Sequence, residues 1–238
     1  MKVKALLSLM GIIVLGITAC GDNGTTSSAT PAIESEAVLE SSVTEESESV
    51  IESMESAGQI ENVESAVGEK DDTQFVGLVE DGVFSITDVI SEAEEIIVPD
   101  NIDGVTVGKI KKEAFYDLQC KKIVIPNTVT SIGKSAFLNC VNLETIELGT
   151  GITSVGASAF SGCKQLKSVT FADGLVTIKG TIFYDCRALE EAFIPASATD
   201  IEHGLGNAET CPNLVIVTPS GSRAEEVANS QGVPVRNS

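Results

Sequence analysis

The sequence predicts a repeat solenoid, a stack of short coils around one continuous apolar core. Three observations carry that prediction. The stretch "SIGKSAFLNC" (131–140) returns as "SVGASAFSGC" (154–163) and as "TIKGTIFYDC" (177–186), at a fixed interval of 23 residues. Each copy keeps the Ile or Val, the Phe and the Cys. Each copy then leads into the pattern L-x-x-[IVA]-x-[LFI], where the apolar residues alternate as in a strand with one buried face. A period of about 20–50 residues marks stacked units, because one such unit cannot bury its apolar face alone.

Taken in chain order, the first element is an address. Lys2 and Lys4 precede the apolar run Ala5 to Thr18, which is short for a membrane span. The run ends in "ITAC" (17–20), which resembles the lipobox of bacterial lipoproteins. The resemblance implies that residues 1–19 are a signal peptide and that Cys20 becomes the lipidated first residue, anchoring the chain outside the membrane without spanning it. Residues 20–72 read as a stalk. From 21 to 72 there are 14 Asp and Glu against one Lys, with no aromatic residue. Such a composition cannot offset chain entropy by burial, so a disordered tether is expected, spanning roughly 40 Å on average. Residues 73–238 are then the folded domain. It opens with "FVGLVEDGVFSITD" (75–88), two alternating apolar runs about Asp81-Gly82. That is a hairpin signal, and the hairpin is expected to cover the first coil.

Aligning the units gives apolar columns. One holds Ile110, Ile132, Val155, Ile178 and Ile201; the next holds Phe115, Phe137, Phe160 and Phe183. Cys140, Cys163 and Cys186 follow three residues after Phe, and Cys211 follows after a two-residue insertion. Leu143/Ile146/Leu148, Leu166/Val169/Phe171 and Leu189/Ala192/Ile194 fill the strand positions, with Cys120 ahead of Ile123 and Ile125 in the first unit. Strands so placed add to a short parallel sheet spaced about 4.8 Å.

These residues carry a resemblance. "VTSIGKSAFLNCVNLETIELGTGITSVGASAFSGCKQLKSVTF" is similar to the 23-residue leucine-rich repeats of BspA-like bacterial surface proteins. "IIVPDNIDGVTVGKI" (96–110) resembles the family's first unit, and "GSRAEEVANSQGVPV" (221–235) resembles its closing helix and tail. Ser222 and Glu225 stand at capping-box spacing, and Gly232 supplies a stop. The resemblance spans about 84–236. It implies a leucine-rich repeat solenoid with a short parallel sheet, loops and short helical turns on the other side, an N-terminal hairpin cap and a small C-terminal capping helix.

Little in the chain suggests chemistry. There is no Trp and a single His, His203, in the insertion "IEHGLGNAET" without partners at a defined spacing. Glu190 and Glu191 are strand neighbours and point to opposite faces, so they do not converge on a substrate. The domain's cysteines form no C-x-x-C pair, so no metal and no cofactor are expected. Cys120, Cys140, Cys163, Cys186 and Cys211 read as a buried, reduced ladder. One or more disulfides are the alternative, although a disulfide needs Cβ atoms about 3.5–4.5 Å apart, closer than stacked coils bring them. A net charge of −20 argues against nucleic acid and against electrostatic attachment to anionic lipid.

The sheet face offers the candidates for recognition. Outward strand positions are Lys122, Thr145, Ser168, Glu191 and Ile216 in one column, and Val124, Glu147, Thr170, Phe193 and Thr218 in the next. Val124, Phe193 and Ile216 are apolar where water is expected, which marks contact surfaces. The resemblance implies a non-catalytic, adhesion-type module at the bacterial surface. Its partner would be an extracellular protein or glycan, and its membrane contact would run through the lipid anchor alone. A monomer is expected. A structural envelope protein without a specific ligand, or an accessory module of a surface enzyme system, is the alternative.

Overall fold

The structure, a computed structural model, describes residues 64–70 and 72–238. The expected leader, Cys20 and the first two-thirds or more of the expected stalk lie outside the described residues.

The domain starts with an antiparallel meander of β1 (Glu64–Lys70), β2 (Thr73–Glu80) and β3 (Val83–Ile90). The β2–β3 turn is Asp81-Gly82, with φ of 53° and 73°. Positive φ at both residues is the primed geometry that matches strand twist, and Asp-Gly tolerates it. A bulge follows Val76, where Gly77 leaves room for the Phe84 ring. The meander moves the expected domain boundary from 73 back to at least Glu64. "ESAVGEK" shares the Ser/Glu composition of the stalk, so composition alone does not separate this strand from it.

β3 pairs in parallel with β6 (Val105–Ile110) and so joins the hairpin to the first coil as a cap. Phe75, Phe84, Ile86 and Val89 close the core at this end. β5 (Asn101–Ile102) turns into β6 through Asp103-Gly104, again both at positive φ.

Every coil then contributes two strands. The longer ones are β4 (Glu95–Ile97), β7 (Lys122–Val124), β9 (Thr145–Glu147), β11 (Ser168–Thr170), β13 (Glu191–Phe193) and β15 (Val215–Thr218). With the C-terminal β16 (Val235–Asn237) they form a seven-stranded parallel sheet, β16-β15-β13-β11-β9-β7-β4. The shorter ones are β8 (Ser131–Ile132), β10 (Ser154–Val155), β12 (Thr177–Ile178) and β14 (Asp200–Ile201). They continue the sheet begun by the meander and β6, giving nine strands in all. The expected Ile column is the inward row of this second sheet: Ile110, Ile132, Val155, Ile178 and Ile201 pair in successive registers.

The Phe-bearing segments form a third ladder without being strands. Alternate amides donate to the next coil, as from Phe115 to Ala136 and Asp117 to Leu138, or from Asn139 to Ser161 and Gly162 to Tyr184. The chain bends twice in each segment through left-handed residues. Asp117, Asn139, Gly162 and Asp185, each two residues after Phe, have φ between 55° and 76°. Asn, Asp and Gly are the residues that reach this region at least cost.

Inside, Phe115, Phe137, Phe160 and Phe183 are wholly buried and stack, with ring centroids 5.0, 5.3 and 5.7 Å apart. Burying each ring stabilises by about 1.5–3 kcal/mol, and this column is the spine of the core. At the far end α1 (Arg223–Ser230) closes it with Ala224, Val227 and Ala228. Ser222 Oγ accepts the Glu225 amide at 3.1 Å, and Gly232, at φ 66°, ends the helix with Val233 N donating to Ala228 O at 3.0 Å.

Candidate functional site

The outer face of the seven-stranded sheet is where the sequence places recognition. Its side chains follow from pairing. Glu95, Lys122, Thr145, Ser168 and Glu191 lie in one outward row, and Ile97, Val124, Glu147, Thr170 and Phe193 in the next. Thr145, Glu147, Ser168 and Thr170 are exposed; Lys122, Val124, Glu191 and Phe193 are half-buried. Ile96, Ile123, Ile146, Val169 and Ala192 between them point into the core.

Two expected members do not belong to this face. Ile216 pairs with Ala192, not with Glu191, and is fully buried in the core. Thr218 is also buried, its hydroxyl 2.7 Å from that of Ser222. The reason is one missing residue. Earlier units read Leu189-x-x-Ala192, whereas the last reads Leu214-x-Ile216. Leu214 keeps its place, with its amide bonded to Cys211 O as Leu189 is to Cys186 O. The strand therefore starts one residue sooner, and a slip of one residue exchanges the faces. Val215 and Val217 are the outward residues here, opposite Glu191 and Phe193.

Sequence reasoning also missed Ile97, which is 40% exposed beside Val124. The signal was present: "EIIVP" (95–99) and "KIVIP" (122–126) are the same strand written twice. With these changes the second outward row reads Ile97, Val124, Glu147, Thr170 and Phe193, closed by Val217, which is covered and only 6% exposed. It is apolar at both ends and polar in the middle.

Charge on the face is organised across strands. Lys122 Nζ lies 3.0 Å from Glu95 and 2.9 Å from Glu147, one coil to either side. The hydrogen bonds that Lys122 donates to Glu147 and then to Glu95 hold its pKa above the ordinary lysine value. Arg236 on β16 reaches past β15 to Glu191. Beside that pair lies an open depression of about 550 Å³ lined by Lys167, Ser168, Glu190, Glu191, Asn213, Val215 and Arg236. Lys167 is committed to Glu144 at 2.9 Å. The depression thus holds ion pairs already satisfied within the protein.

The five cysteines among the described residues lie elsewhere, under the turn segments, and are buried free thiols. Cys140, Cys163 and Cys186 Sγ donate to the carbonyls of Phe115, Phe137 and Phe160 on the preceding coil, at 3.0, 3.2 and 3.0 Å. Cys211 makes the same contact to Phe183 at 3.6 Å. Burial pushes Cys120 up to about 11 and Cys163 up to about 12. A thiol so protonated is a poor nucleophile. Among the described residues no group of three or more His, Cys, Asp or Glu side chains is arranged to hold a metal. His203 is exposed, and its carbonyl accepts from Gln231 Nε2 at 2.7 Å.

Stacked coils, an inward Leu/Ile/Phe ladder and a seven-stranded parallel sheet define a leucine-rich repeat protein of bacterial type. The chain belongs to the BspA type leucine rich repeat family, whose repeat matches in six copies over residues 91–214. Among solved structures it is similar to the leucine rich repeat protein of T. pallidum, with 25% identity over 64% of this chain and 68% of that one, at a TM-score of 0.54. It is also similar to a leucine-rich repeat protein from Bacteroides capillosus, with 19% identity over 57% of this chain and 98% of that one (TM-score 0.45). The pneumococcal vaccine antigen PcpA matches at 16% identity over 66% of this chain and 50% of that one (TM-score 0.44). No curated protein matches the chain.

Proposed function

We propose that this protein is a non-catalytic binding module held at the bacterial surface by a lipid on Cys20, and that it recognises an extracellular protein through its seven-stranded sheet. The observation that carries the reading is the outward row with Phe193. The other seven Phe residues are at most 1% exposed, yet this one faces outward and is half-buried, with Thr170 on the strand to one side and the covered Val217 on the other. An amphipathic row of this kind supplies an aromatic anchor within a polar surround, the usual composition of a protein contact. Membership of a leucine-rich repeat family suggests a binding or structural role rather than catalysis. "ITAC" supports the anchor, and the acidic segment behind it supports a tether.

The test is adhesion of the purified protein to surfaces coated with extracellular host proteins. Phe193→Ala is expected to weaken binding by about 2 kcal/mol, or about 30-fold, with the melting temperature little changed. Binding that survives the substitution, or is lost only together with stability, would overturn the assignment of this face. For the anchor, Cys20→Ala is expected to move the protein from the membrane fraction to the medium or to stall its maturation. An unlipidated wild-type N-terminus by mass spectrometry would refute it.

A further inference from the structure

The protein has ten aromatic residues, eight Phe and two Tyr. Seven Phe are core. Both Tyr are exposed, Tyr116 at 41% and Tyr184 at 53%, and they occupy the same position of their coils. Each follows the spine Phe and precedes an Asp at positive φ: "FYD" occurs at 115–117 and again at 183–185. Between them in the same row stand Leu138, half-buried, and Ser161, buried. Coil-to-coil hydrogen bonds tie the row together: Asp117 N to Leu138 O, Asn139 N to Ser161 O and Gly162 N to Tyr184 O. The two rings are three coils apart, roughly 14 Å at the ordinary strand spacing. They stand at the ends of a row whose two middle members are less exposed than they are.

The Asp that follows each Tyr is tied to further polar side chains. After Tyr116, Gln119 Nε2 donates to Asp117 O at 3.0 Å, and Asn142 Nδ2 donates to Gln119 Oε1 at 3.1 Å. After Tyr184, Arg187 Nε lies 2.6 Å from Asp185 Oδ1, and Lys164 Nζ lies 3.6 Å from Asp185 Oδ2. Such bonds fix carboxylate, amide and guanidinium planes in place while leaving lone pairs and N–H groups facing water. This surface lies on the turn side, away from the seven-stranded sheet.

We propose that this row is a second binding surface and that its ligand is a neutral polysaccharide. A pyranose ring presents an apolar C–H face edged by hydroxyls, each both donor and acceptor. An exposed Tyr ring matches the first, and a fixed planar amide or carboxylate matches paired hydroxyls. Two such stations three coils apart suit a linear chain of sugars better than a single residue. A net charge of −20 disfavours an acidic glycan.

The full-length protein is run in native gels containing soluble starch, mannan or a mixed-linkage β-glucan, and retardation gives the affinity. At least one of these polysaccharides is expected to retard it. Tyr184→Ala is expected to weaken retardation about tenfold, and Tyr116→Ala with Tyr184→Ala to remove it. Tyr184→Phe, which keeps the ring, retains most of it, and Phe193→Ala on the sheet leaves it unchanged, which separates this surface from the one proposed above. Both positions are exposed, so melting temperatures stay near that of the native protein and report folding directly. Absence of retardation by all three polysaccharides would overturn the proposal, as would retardation that persists in the double variant. Loss of attachment of the double variant to periodate-oxidised, protein-coated surfaces, without any retardation in the gels, would assign the row to a protein partner instead.

Discussion

Phe160→Ala tests the spine of the solenoid at its centre. The ring is fully buried, stacked on Phe137 at 5.3 Å and 7°, on Phe183 at 5.7 Å and 28°, and set edge-on to Phe171 at 6.3 Å. Truncating a buried Phe costs about 3–5 kcal/mol, and the spread reflects how far the site can collapse. Collapse is restricted here, because each coil is hydrogen-bonded to both neighbours in two sheets and in the turn ladder. Three ring contacts are lost as well, each worth about 0.5–1.5 kcal/mol beyond area. The cost therefore sits at the upper end, about 5 kcal/mol, against a total of about 5–15 kcal/mol for a domain. In urea, with a slope of about 2.5 kcal/mol per molar, the midpoint is expected to fall by about 2 M. Circular dichroism reads the transition, and the coupling between coils predicts that it stays a single one or that the domain does not fold. A midpoint within about 0.5 M of the native protein would refute the stacked-coil account of stability.

The corrected register of the last unit gives a paired test. Ile216→Ala is expected to cost about 2–5 kcal/mol, while Val215→Ala, on the outward side of the same strand, stays under about 1 kcal/mol; equal effects by denaturant titration would contradict the pairing. Acid should destabilise the domain. Lys111, Lys167, Lys179 and Arg187 lower the pKa values of Glu80, Glu144, Glu202 and Asp185, respectively, through direct hydrogen bonds. A depressed folded value means stabilisation that is present above the unfolded pKa and lost as pH falls through the folded one. The melting temperature is thus expected to drop below pH about 4.5, and Lys111→Met to shrink that drop; a profile unchanged by the substitution would remove the Glu80–Lys111 pair from the account.

Sequence alone makes the inward columns legible, because a fixed 23-residue interval aligns each Ile, Phe, Cys and Leu without reference to any structure. It also reveals the hairpin, since Asp-Gly between alternating runs has one compatible geometry. The parallel part of the second sheet is not legible as a sheet. Its strands in the repeats are two residues long and carry one inward side chain each, too few to show alternation. The outward row was legible for Val124, Glu147, Thr170 and Phe193, where Leu-x-x sets the phase. It failed at Ile216 and Thr218, because Leu214 holds its place while one residue before the strand is gone. Strand β1 was hidden by a composition that does not change at its boundary. The tyrosines stand at equivalent places of two units, as "FYD", but the repeat pattern tracks inward residues and gives no signal for an outward one.

The three coil-to-coil ladders have a consequence for how such a chain changes length. Each coil meets its neighbours through the same bonds and the same few inward side chains, so the middle of the array offers equivalent seams. Duplicating or excising 23 residues at a seam restores every bond and moves the two caps about 4.8 Å apart or together. A partial insertion instead breaks three ladders at once, unless it bulges at a turn, as the two-residue insertion before Cys211 does. Reach is therefore adjustable in whole steps, and the spacing between any two surface stations, such as paired tyrosines, is inherited as a whole number of coils.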